Sequence, residues 1–176
     1  MAIAGNAGLV WVIDPSGYVH DVKTSYKNNF FDAACINRNS LFACGQGGKF
    51  VHFNGEKWND ILLPTSVNLN TVSVSSIGTV IVAGDTGFVA TGSLEGGFEI
   101  ADGPHFDVHG SCNYKDKFIM ALPGYGVTQM QEPDIADFQV GPLAWRVSAL
   151  DGMLLCAEDD SILIYDGDAW VGVPIT

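Results

Sequence analysis

Arginine is scarce in this 176-residue chain: there are two, Arg38 and Arg146, and eight basic residues in all against twenty acidic ones, a net charge of −12. A surface that tracks phosphates needs clustered Lys and Arg. Nucleic acid is therefore not the expected partner, and neither is an anionic membrane. No apolar run approaches the ~20 residues that span a bilayer. Met1 to Ile13 is apolar but carries no basic residue, and Asp14 closes it, so it does not read as a secretory signal. Cysteine pairs are missing as well: Cys35, Cys44, Cys112 and Cys156 show no CxxC spacing and lie in or beside apolar stretches. Buried free thiols in a reducing compartment are expected, placing the chain in the cytoplasm or in a virion assembled there. Without paired ligands, no structural zinc is expected. Helical stripes are absent too, since no window keeps apolar residues at i, i+3, i+4 and i+7 without Gly, Pro or a β-branched run.

What the chain has in excess is glycine, 21 residues, with 47% apolar content and only 16% charged. That combination suits short strands joined by tight turns. The acids are unevenly spread: residues 118–176 hold nine acids and one base, which predicts an acidic sector in the last third.

A repeat is visible. A short apolar strand, a polar turn, a second strand, a second turn and an aromatic recur at residues 9–26, 40–58, 79–98, 118–138 and 153–170. The first turns begin at Asp14, Gly45, Gly84, Leu122 and Glu158, spaced by 31, 39, 38 and 36 residues. Asn54-Gly55 and Asp166-Gly167 are hairpin signals, because a two-residue turn needs positive φ at both centres. An alternating strand precedes each pair: residues 1–5, 31–35, 69–73, 106–110 and 145–149. Each unit then holds four strands, and about 35 residues cannot bury both faces of such a sheet alone. Stacking the sheets radially solves this, so the expected fold is an all-β, five-bladed β-propeller of four-stranded antiparallel blades, closed into a ring. The expected single domain divides into blades at about 1–29, 30–66, 67–103, 104–142 and 143–176.

The strand-turn-strand stretch VIVAGDTGFVATGSLEGGF (residues 80–98) is similar to the propeller repeats of the photosystem-assembly-factor and neuraminidase-repeat type. LVWVIDPSGYVHDV (residues 9–22) resembles a tectonin-type repeat, and the five-blade count resembles the tachylectin-type lectins. These resemblances imply a propeller fold. Compact blades with short loops also resemble modules of tailed-phage virions.

Motifs for chemistry are sparse. The Asp-box of sialidases, S-x-D-x-G-x-x-W, has only a degenerate counterpart at Ser93–Phe98, and two arginines cannot make the triad that grips a sialate carboxylate. GxSxG is absent, and Gly45–Gly48 lacks the Lys-Ser/Thr of a phosphate loop. The paired acids, such as Glu158–Asp160, fall in predicted turns. His105, Asp107 and His109 alternate and would share one face if their segment were a strand; the expected role is polar channel lining, with no metal and no cofactor. Placed in register, the inner strands put Asp32, Asn70, Asp107, His109 and Arg146 around the axis, with Arg146 neutralising the two aspartates. Tyr125, flanked by glycines, with Gln129 or Asn113 could bind a sugar. The expected function is a non-catalytic binding and assembly module, structural or accessory within a larger assembly such as a phage capsid or tail, with protein partners. A glycan-binding lectin is the alternative.

Overall fold

The computed structural model describes residues 1–130, 135–137 and 143–175. It is an all-β, five-bladed propeller built as five antiparallel sheets. The first blade comprises β1 (Ala2–Ala4), β2 (Val10–Ile13) and β3 (Val19–Asp21). The second comprises β4 (Phe30–Asn37), β5 (Ser40–Gly45), β6 (Phe50–Phe53) and β7 (Trp58–Asp60), and the third β8 (Leu69–Val74), β9 (Val80–Gly84), β10 (Val89–Ser93) and β11 (Gly97–Ala101). The fourth comprises β12 (Gly110–Tyr114), β13 (Lys117–Leu122), β14 (Gly126–Met130) and β15 (Ile135–Asp137), and the fifth β16 (Arg146–Leu150), β17 (Met153–Ala157), β18 (Ser161–Tyr165) and β19 (Trp170–Pro174). Among the described residues the only helical pieces are three single 3₁₀ turns, at Asn6–Gly8, Gln46–Gly48 and Asp85–Gly87.

Those turns correct the expected phase of the first blade. Each begins after a glycine whose N–H bonds four residues on: Gly5 to Leu9, Gly45 to Lys49, Gly84 to Phe88. In the second and third blades they join the second and third strands. Residues 1–5 therefore form a second strand, not an inner one; among the described residues the first blade has three strands and each of the other four blades has the expected four. The Asp14 turn matches Asn54 and Asp166 as the next hairpin along. In all three, an Asx side chain accepts backbone N–H groups two to four residues later. The Ser16 hydroxyl and then His20 hold the Asp14 carboxyl well below its ordinary value. Main-chain N–H groups of Ala169 and Asp168 depress Asp166 in the same way.

Blades pack face to face, and each apolar cluster spans two neighbours. Phe42, Phe50 and Val82 meet Leu69 and Val72 between the second and third blades. Ile81, Val89, Val108 and Met120 join the third and fourth, and Val127, Ala144, Leu154 and Tyr165 the fourth and fifth. Burying each large side chain contributes roughly 1.5–3 kcal/mol. Among the described residues, no strand of the first blade packs extensively on a strand of the fifth.

Candidate functional site

The inner strands β4, β8, β12 and β16 surround a polar cavity of about 350 Å³ that includes Asp32, Thr71, Ser111 and Ser148 in its wall. Above it opens a wider vestibule of about 510 Å³, lined by Ala4, Asn70, Asp85 and His109 among others. Phe31 and Arg146 line both and mark the neck between them.

Asp32 ties the second blade to the third. Its carboxylate accepts the Thr71 hydroxyl and the Val72 N–H, both at 3.0 Å, and the Ala33 N–H at 2.8 Å. The Thr71 hydroxyl also meets Ser111 Oγ at 2.9 Å, which donates on to Ser73 at 3.0 Å. Burial pushes the Asp32 carboxyl above its ordinary value. The Val72 N–H, the Thr71 hydroxyl and more distant Arg146 pull the other way. A raised carboxyl in a cavity is a common mark of function, but this one has both oxygens engaged and acts as a tie.

Arg146 does not neutralise an acidic ring. Its guanidinium donates to main-chain carbonyls, those of His109 and, at 3.4 Å, Asn70. Asp107 lies outside the ring altogether, accepting the Thr86 N–H at 2.7 Å. The reason is register: β12 starts at Gly110, so residues 106–110, read as the inner strand, are largely the loop before it. The alternation assumed for His105, Asp107 and His109 therefore fails. His109 instead packs against Trp145, with ring centroids 5.5 Å apart. Asn70 does reach the vestibule, where it donates to Asp85 at 2.7 Å and to Val108 O at 3.2 Å. Among the described residues no group of three His, Cys, Asp or Glu side chains could hold a metal ion.

Tyr125, Gln129 and Asn113 are not brought together. Tyr125 projects from the turn between β13 and β14 and is 62% exposed. Gln129 is buried within β14, opposite Ile119. Asn113 pairs with Phe118 near the opposite end of the blade. Tyr125 stacks instead on Phe106, with ring centroids 3.4 Å apart and planes 18° from parallel. The neighbouring rim carries Trp145, whose indole N–H donates to Asp159 at 2.7 Å. Phe106, Phe31 and Asp85 are site residues that the sequence reading missed. A signal for them was present: Asn29, Asn68 and Asp107 each precede a buried apolar residue and accept an N–H from the 3₁₀ turn of the previous blade, at Ala7, Gly47 and Thr86. Aligning on that position gives the correct inner register.

No family model and no curated protein matches the sequence. Solved structures match the fold. Virginiamycin B lyase from Staphylococcus aureus superposes with a TM-score of 0.77 at 13% identity, over 96% of this chain and 64% of the lyase. The WD40 β-propeller domain of Doa1 matches with 0.62 at 13% identity, over 84% and 55%. YCF48, solved bound to D1 peptide, matches with 0.61 at 12% identity, over 97% and 62%. This chain thus spans less than two thirds of the length of each. At these identities the likeness establishes the β-propeller fold alone.

Proposed function

We propose that this chain is a non-catalytic protein-binding module that works inside a larger assembly. The observation that carries this reading is the apolar surface left on its terminal blades. On the first blade Ile3 and Trp11 are 36% and 39% exposed, whereas their counterparts Ala43, Val82, Val51 and Ala90 in the second and third blades are fully buried. On the fifth, Ile162 is 36% exposed, where Phe50, Val89 and Val127 hold the same place and are buried. Val171 and Val173 continue that patch. Inside the chain such faces are covered by another sheet, so the complementary surface is an apolar sheet face of a neighbouring subunit. A capsid or tail component of a virion is the setting we favour, with the short loops as its support. The propellers of Doa1 and YCF48 support a protein-binding role by analogy of fold only. Light scattering of the purified chain tests the reading. Masses above 18.8 kDa that fall with Trp11→Glu or Val171→Glu are expected; a monomer at every concentration overturns it.

A second reading, glycan binding, is favoured by the exposed Tyr125–Phe106 stack, since sugars lie on aromatic faces. A glycan array probed with the native chain and with Tyr125→Ala decides it: signal lost in the variant supports it, and no signal in either removes it.

A further inference from the structure

Among the described residues, the first blade has one strand fewer than the others. In the other four blades an inner strand pairs with the second strand, but on the corresponding side of β1 no strand pairs among the described residues. The open edge can be read atom by atom. Met1 exchanges hydrogen bonds with Ile13, and the Gly5 N–H bonds Leu9 O, so the odd-numbered residues of β1 face β2. Antiparallel pairs alternate, so the N–H and C=O groups of Ala2 and Ala4 point the other way. Their counterparts in the second blade are Phe42 and Cys44, which pair with Ala34 and Asp32 of the inner strand. In the third blade they are Ile81 and Ala83, which pair with Ser73 and Thr71. The vestibule of about 510 Å³ opens beside this edge, with Ala4 and Gly5 on one side and Arg146 across it. That volume lies within the ~300–1,000 Å³ of typical ligand sites.

We propose that the β1 edge receives an extended segment of a partner protein, which pairs antiparallel with Ala2–Ala4 and supplies the missing inner strand. The four resident inner strands define its chemistry. Each begins with, or follows, a buried apolar residue: Phe30, Leu69, Val108 or Ala144. Four positions later comes a small one: Ala34, Ser73, Cys112 or Ser148. The guest therefore carries an apolar residue followed, four places on, by Ala, Ser or Cys. Main-chain pairing gives it affinity, and the apolar and small side chains give it register. This rests on the protein-binding reading, but uses a different surface from the outer faces of the terminal blades.

Three synthetic peptides copying residues 28–36, 67–75 and 143–151 test it by fluorescence anisotropy on the full chain. Saturable binding by at least one is expected, with slowed exchange of the Ala4 amide. N-methylating that peptide at the two residues opposite Ala2 and Ala4 should weaken binding at least tenfold; methylating the residue between them should not. Ala4→Pro should likewise abolish capture, and it removes only a donor that points away from the sheet. No binding by any peptide up to about 1 mM, an unchanged Ala4 amide, or equal loss from both methylation patterns overturns the proposal. Light scattering reads the blade-face association separately, so either idea can fail alone.

Discussion

In the first three blades the turn between second and third strands is held by the blade that follows; in the fourth it leans on the loop that precedes it. Asn29, Asn68 and Asp107 reach back to clamp Ala7, Gly47 and Thr86, each held at positive φ. In the fourth blade the turn carries Gly124, and its Tyr125 is stacked outward on Phe106. The fifth inverts the polarity: Glu158, at the turn, accepts the Leu143 N–H of the preceding loop at 2.9 Å. Where the clamp is kept, the turn is tied to the blade that follows. In the fourth blade, where it is missing, Tyr125 faces solvent. The exposed stack of Tyr125 on Phe106 therefore sits where the repeat is broken.

A pair of glycine substitutions separates the two kinds of turn most strongly. Gly87 and Gly124 have φ of +75° and +79°, so both variants carry left-handed strain of about 1–2 kcal/mol. A Cβ on Gly87 would also lie 1.5 Å from Pro104 O, whereas one on Gly124 meets nothing within 4 Å. Gly87→Ala should cost roughly 2–5 kcal/mol in urea denaturation once overpacking is added, and Gly124→Ala only the strain. Equal losses would mean that the two turns are held alike.

Next in size is Asp32. Asp32→Ala leaves the Val72 and Ala33 N–H groups without their acceptor, at roughly 1–3 kcal/mol for each group left unsatisfied, while the Thr71 hydroxyl keeps Ser111 as a partner. Asp32→Asn should cost less. The carboxyl is raised in the folded chain, so folding takes up a proton above the unfolded value of 3.8. Stability contributed by the protonated form is thus lost as pH rises out of that acidic window. The Asn variant should lack this slope in acid denaturation profiles.

Smaller effects sharpen the contrast. Asn68→Ala should cost about 1 kcal/mol through the freed Gly47 N–H, and Leu143→Ala, at the corresponding place before the fifth blade, close to nothing. The thiols report on packing without altering it. Cys44 and Cys156 are fully buried, and burial pushes Cys112 and Cys156 up to about 12. Thiol labelling of the native chain should modify Cys35 first and the other three only on unfolding.

The architecture was legible because its signals are local. Asn54-Gly55 and Asp166-Gly167 mark hairpins, and period-two alternation marks strands. The inner register was not legible, because a bulge interrupts it: pairing shifts between Phe30 and Asp32, and again between Leu69 and Thr71. One extra residue moves every later side chain to the other face. The Phe-Asp pair at 106–107 also imitates the one at 31–32, which pulled the fourth inner strand three residues early. Arg146 was placed in the channel, but its carbonyl partners were hidden, since sequence reveals charges far more readily than free main-chain oxygens.

Each clamp residue lies 21 or 22 positions after the amide it holds. During synthesis, a turn therefore leaves the ribosome unclamped and is secured only when the start of the next blade follows. The order is vectorial, each blade acting as the latch of its predecessor. The same latches run backward when the protein comes apart: loosening the second or third blade releases the turn behind it, but not the one ahead. Amide exchange at Ala7, Gly47 and Thr86 should follow the opening of the next blade, so these repeats lose structure with a direction as well as a threshold.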